Sequence, residues 1–176
     1  MELNEVIKKR RSIRSYKQIE IDRKIILNIV ECIKYAPSSM NGQPWKVLII
    51  ENKKIKEQIA NIKNKYIYEN KRSFNADFIK NAPYILILCV DKSKCYNREV
   101  ENCSIATTYI LLKTSELGFG SVFICAYRED KPELQKELQF LLNLPENILP
   151  MNIIPVGIPD EVPKEKELKD LNELLI

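Results

Sequence analysis

Apolar residues recur along the chain in two periods, and the switches between them mark the elements. Leu3, Val6 and Ile7 share one face of a short first helix that runs into Lys8-Lys9-Arg10-Arg11. Ile13 and Arg14 alternate after Ser12, so the chain is expected to become extended there. Ile25, Ile26, Ile29, Val30 and Ile33 predict a second helix, opened by Asp22 as N-cap and stopped by Pro37. Trp45 to Glu51 reads as the first strand. A lysine-rich helix follows, with Ile55, Ile59, Ile62 and Tyr66 on its apolar face. Asn70 to Asn81 is polar and broken. Ala82-Pro83 then opens a continuous apolar strand, Tyr84 to Val90, of the kind buried on both faces. After a polar loop, a long and mostly buried helix starts near Arg98 and closes at Leu117-Gly118, a glycine of C-cap type. Ser121 to Ala126 is a third strand, Lys131 to Leu142 an amphipathic helix, Asn143 to Pro150 a loop and Met151 to Ile158 the last strand. Pro159 to Lys166 reads as a charged tail before a short helical segment. Strands separated by one or two helices, without a strict βαβ repeat, predict an α+β fold. No repeat or linker divides the 176 residues, so a single domain over 1–176 is expected.

Composition narrows the chemistry. Hydrophobic residues make up 45% and charged residues 30%, the balance of a globular protein, and no apolar run reaches membrane-spanning length. The acidic opening Met-Glu-Leu-Asn-Glu has no secretory profile, and the five cysteines form no CxxC pair; both suit reduced thiols in the cytoplasm. Lysines are spread along the chain, so the net charge of +4 describes solvated faces rather than a nucleic-acid stripe. The absence of histidine excludes Ser-His-Asp triads, Cys-His dyads and histidine-ligated metals. No side chain is assigned as acid, base or metal ligand, and any chemistry falls to a cofactor.

Two stretches carry candidate binding groups. Arg10, Arg11 and Arg14 surround Ser12 at one bend; guanidinium forks match phosphate oxygens, and the hydroxyl adds a neutral donor. A second basic spot, Lys164 and Lys166, lies on alternate positions of an extended segment, so both can face one anion. The other stretch is Pro37-Ser38-Ser39-Met40-Asn41-Gly42-Gln43-Pro44-Trp45, longer than a plain connector requires. Its Ser38, Ser39, Asn41 and Gln43 sit on a backbone constrained by two prolines and suit the polar edge of a flat heteroaromatic ligand. Read alone, the same residues also make an ordinary Asn-Gly turn beside a buried tryptophan. Gly118-Phe119-Gly120 follows a helix and precedes a strand, the reverse of the order a dinucleotide fold needs.

In order and spacing, these segments together resemble the nitroreductase family of FMN-dependent oxidoreductases. Leu117-Gly118-Phe119-Gly120-Ser121, Ile153-Ile154-Pro155-Val156-Gly157 and Pro163-Lys164-Glu165-Lys166 extend the resemblance over nearly the whole chain. It implies an α+β sandwich, a mostly antiparallel central sheet flanked by helices on both faces, and a homodimer with FMN at the subunit interface. Arg10 and Ser12, with Arg11 beside them, would hold the FMN phosphate, and Lys164 and Lys166 would close round it. Arg14 would lie toward the ribityl chain and pyrimidine. Pro37, Ser38, Ser39, Asn41 and Gln43 would reach across from the other subunit, Asn75 would meet the pyrimidine edge, and Ile124 and Cys125 would pass along one ring face. NAD(P)H would reduce FMN and leave, and a small oxidised acceptor of nitroaromatic or quinone type would follow in a ping-pong cycle. The alternative keeps the flavin and changes the role to storage, dehalogenation or desaturation. Phe78 stands where members sometimes carry a basic residue, Lys164/Lys166 where the family often ends in arginine, and Cys125 or Ala126 where many have a glycine beside the flavin. The short link between the second strand and the long helix implies a reduced lid.

Overall fold

The computed structural model describes residues 2–67 and 74–176; the expected broken stretch falls outside the described residues over 70–73. The apolar run forms the middle strand, β2 (Tyr84–Asp91). It pairs antiparallel with β1 (Trp45–Ile50) on one side and β5 (Ile148–Gly157) on the other. Two short strands, β3 (Gly120–Ser121) and β4 (Ile124–Cys125), pair antiparallel with the outer side of β5.

Every residue of β2 is buried, because successive side chains face two different cores. Leu86, Leu88 and Val90 pack with Ile26 and Ile29 of α2 (Arg23–Glu31) and with Ala106 and Ile110 of α5 (Glu99–Glu116). Ile85, Ile87 and Cys89 meet Ile59 of α3 (Lys53–Lys65), Ile79 of α4 (Phe78–Asn81), and Leu134 and Leu138 of α6 (Pro132–Leu141). Each such side chain stabilises the fold by about 1.5–3 kcal/mol on burial. One strand therefore joins both helical layers. A first helix, α1 (Leu3–Lys9), packs against α5. The architecture is the predicted α+β sandwich, with an antiparallel sheet and helices on both faces. Among the described residues, no helix is long and apolar enough to cross a membrane.

Three elements depart from expectation. α2 begins at the predicted cap, where the Asp22 carboxylate accepts from Lys24 N at 2.8 Å, but ends at Glu31; Cys32–Tyr35 tighten into a 3₁₀ turn ahead of Pro37. The third strand splits in two, because Val122 and Phe123 leave the ladder with β5. β5 starts three residues earlier than predicted, at Ile148 rather than Met151. Its register skips Met151 between Asn152 and Pro150, and that bulge accommodates a proline inside a strand. The freed Met151 carbonyl accepts from Ala126 N at 2.8 Å.

Candidate functional site

Residues 12–17 lie along one end of the sheet and are stitched into it by backbone groups. Ser12 bridges Ser121 in parallel, and Ile13 N donates to Ser121 O at 3.1 Å. Lys17 N donates to Ile158 O and Asp160 N to Ser15 O, each at 2.9 Å. The segment thus lies between β3 and the chain leaving β5, which is why two basic stretches far apart in sequence meet.

They meet in one cavity of about 400 Å³, lined by Arg10, Arg11, Ser12, Arg14, Glu161, Pro163, Lys164 and Lys166. Arg11 Nη2 donates to the Lys164 carbonyl and fastens the two segments together. Five cationic side chains and one hydroxyl surround this space, an arrangement whose natural complement is a multiply charged oxyanion. Glu161, which the sequence reading left in a charged tail, is the carboxylate among them. Its Oε1 accepts from Arg14 N and from Ser15 N, the latter at 3.0 Å.

Arg14 also lines a second, larger cavity of about 820 Å³ that runs along β4. Ile124 and Cys125 form its floor, and Tyr66, Phe74, Phe78, Phe123 and Tyr127 supply aromatic walls. Ile124 is buried, whereas the Cys125 side chain is exposed. Arg128 stands in the wall, donating from Nε to Asp130 Oδ1 at 3.0 Å and from Nη1 to Tyr66 O at 2.6 Å. The hydrogen bond from Arg128 holds the Asp130 carboxyl below its usual range. Lys63 of α3 lines the same cavity and donates to Cys125 O at 2.7 Å. It was not predicted. Asn75 does not line the cavity; its Oδ1 accepts from Asp77 N at 3.1 Å in a local turn beside Phe74.

The Pro37–Gln43 loop is not brought to either cavity. It lies where β1 begins: Trp45 is opposite Val90, whereas Tyr84 and Ser121 are both opposite Val156 at the other end of the sheet. Six residue steps along β2 separate Val90 from Tyr84, roughly 20 Å of strand. The loop is held by Ser39 N donating to Asn102 Oδ1 and Gln43 N to Ser38 Oγ, both at 3.0 Å, and by Gln43 Nε2 to Asn41 Oδ1 at 3.2 Å. Met40, Asn41 and Gln43 have φ of 51°, 53° and 44°, a left-handed backbone that costs roughly 1–2 kcal/mol per non-glycine residue. Gly42 is not left-handed; it is needed because a Cβ there would meet Lys94 O at 2.2 Å. Met40 stands 81% exposed at the tip of this strained loop.

Residues 7–158 match the Nitroreductase family. The chain is 33% identical over 173 residues to a Methanothermobacter thermautotrophicus protein named provisionally as an NADH dehydrogenase/NAD(P)H nitroreductase, covering 97% of this chain and 84% of that protein. It is also 33% identical over 189 residues to the iodotyrosine deiodinase of Thermotoga neapolitana, covering 99% and 96% of the two chains. The solved FMN-dependent nitroreductase of Clostridium difficile R20291 superposes with a TM-score of 0.78 at 30% identity, over 97% of this chain and 93% of that one. With the sandwich, two cavities that share Arg14 and a match spanning most of its length, the chain belongs to the nitroreductase family.

Proposed function

We propose that the protein is an FMN-dependent oxidoreductase that passes hydride from NAD(P)H to a small oxidised acceptor of nitroaromatic or quinone type. The observation that carries this reading is the shared cavity of Arg10, Ser12, Arg14, Lys164 and Lys166, joined through Arg14 to an aromatic-walled chamber. The residues fit the cofactor at both ends. A phosphate monoester matches the guanidinium, ammonium and hydroxyl donors, and a flat ring matches the chamber. When bound, FMN would supply hydride acceptance and return at its N5 position.

The protein's own part is to bind, orient and polarise. Arg10, Ser12, Lys164 and Lys166 would hold the phosphate, with Arg11 bracing Lys164 through its carbonyl. Arg14, which lines both cavities, would favour negative charge on the ring's pyrimidine side. Ile124 and Cys125 would support one face of the ring, and Asn75 would turn from its local bond with Asp77 N to meet the ring edge. Pro37, Ser38, Ser39, Asn41 and Gln43 would complete the site from a second copy. Their place at the far end of the sheet, on a strained loop that projects Met40, supports a homodimer whose site needs both chains.

The test is spectroscopic. The purified protein should be yellow or take up FMN, and NADH or NADPH should bleach the flavin without oxygen, with an acceptor restoring it. Colourless protein that cannot be reconstituted overturns the proposal. The deiodinase relative favours dehalogenation as a second reading. Bound flavin that dithionite reduces but NAD(P)H does not would select it.

A further inference from the structure

The inward face of α3 carries Lys56, Ile59, Ala60 and Lys63, all buried. Two of these four are lysines seven residues apart, and their surroundings differ. Lys56 Nζ donates to the carbonyls of Ala82 at 2.7 Å and Pro83 at 3.2 Å, and so seals the entry into β2. Lys63 is only 8% exposed and sits in the wall of the aromatic chamber. Its one hydrogen bond among the described residues is to the neutral carbonyl of Cys125 at 2.7 Å. An ammonium has three donors, so two protons remain for another acceptor. Burial pulls Lys63 below the ordinary lysine value; Cys125 opposes that pull, and the like charge of Arg128 adds to it.

The other charges of the chamber are differently placed: Glu129 lines it as well but makes no ion pair with Lys63. Arg128 is matched by Asp130, and Arg14 reaches into the phosphate cavity. Lys63 therefore presents a buried positive charge, met by no carboxylate among the described residues, beside Tyr66, Phe74, Phe78 and Phe123. A buried charge of this kind gains most from an acceptor that is itself charged. We infer that Lys63 is a specificity-determining residue that selects acceptors combining a reducible flat aromatic ring with a negative charge, the nitroarene carboxylates and nitrophenolates. The chamber of about 820 Å³ would take the flavin ring against Ile124 and Cys125 with the acceptor beside it, and a neutral quinone or nitroarene there would offer the ammonium only uncharged acceptor oxygens.

This inference rests on the proposed flavoenzyme reading, and the experiment separates the two. Benzoate and benzamide, equal in shape and different in charge, are titrated into the holoenzyme and followed by calorimetry and by perturbation of the flavin spectrum. The wild type should bind benzoate at least fivefold more tightly than benzamide. K63Q should lose tenfold or more in benzoate affinity while benzamide changes by less than twofold, and K63R should keep most of the preference. Equal affinity of the wild type for the two probes, or equal losses for both in K63Q, overturns the inference. If K63Q does not fold, the wild-type ratio and K63R still decide it. Protein that takes no FMN sinks the cofactor reading, whereas benzoate heats indifferent to the substitution sink the role of Lys63.

Discussion

Two glycines two positions apart should both lose stability when replaced by alanine, but only one of them should lose cofactor. Gly120 in β3 lies against Ile13, and a Cβ there would stand 2.8 Å from the Cβ, Cγ1 and Cγ2 of that side chain. Ordinary carbon contacts begin near 3.5–4.0 Å, so Ile13 must recede by roughly 1 Å. Trimming Ile13 would not relieve this, because its own Cβ is one of the three atoms; the backbone of residues 12–14 has to shift. Overpacking of a buried site costs about 1–3 kcal/mol of stability. The same shift carries Ser12 and Arg14 away from the oxyanion cavity. Loss of one charge-assisted hydrogen bond, about 1.5–3 kcal/mol, weakens FMN binding roughly ten- to hundredfold. Gly118 is the control. Its φ is +82° and nothing lies within 4 Å of an added Cβ, so G118A strains only its own backbone, by about 1 kcal/mol. Urea melts should show both variants destabilised, and flavin-fluorescence titration should show impaired cofactor binding for G120A alone. A folded G120A protein with wild-type FMN affinity refutes the reasoning, as does G118A losing as much.

Glu161→Gln keeps an acceptor for the amides of Arg14 and Ser15 but removes the negative charge from the cationic cavity. FMN and inorganic phosphate should both bind several-fold more tightly to it by calorimetry; unchanged or weaker binding would make the carboxylate a purely structural cap. Burial pushes the thiols of Cys89 and Cys103 from 9.0 up to about 12. Above pH 9 the unfolded chain loses these protons while the folded chain retains them. Folding stability should therefore fall as pH rises from 9 toward 12, by roughly 1.4 kcal/mol per pH unit for each thiol. Cys89→Ala with Cys103→Ala should flatten that slope in urea melts run from pH 8.5 to 10.5, and an unchanged slope would contradict their burial as thiols. Met40→Glu, at an exposed loop tip, should leave the thermal midpoint of the isolated chain unchanged. It should shift sedimentation toward monomer and abolish FMN retention; a dimeric, yellow M40E protein would remove the loop from the interface.

The sandwich was legible because its signals are local. The seven-residue apolar run needs two covering layers, and the helices on each side show one apolar face. The cationic half of the site was legible because guanidiniums clustered around a hydroxyl have few other uses. What sequence reading missed depends on tertiary partners. Val122 and Phe123 have strand-like side chains, yet β5 offers them no ladder partner, so one expected strand became two. Pro150 read as loop because proline donates no backbone hydrogen bond, and only the bulge at Met151 makes it tolerable in β5. Lys63 was taken for one of many solvated lysines. Its spacing from Lys56, Ile59 and Ala60 places it on the buried face, and that helical period was the signal available. Glu161 had no such signal; its role appears only when the chain beyond β5 folds back on residues 14 and 15.

The bond from Arg11 to Lys164 spans 153 positions of the sequence. An oxyanion seated between those strands of chain therefore acts as a removable cross-link, clasping a segment that precedes nearly the whole core to one that follows it. Unloading it leaves the seam to the Arg11 and Glu161 bonds and the backbone pairs beside them, with the cationic groups facing one another, so the empty protein should fray there more readily and be cut sooner by a protease.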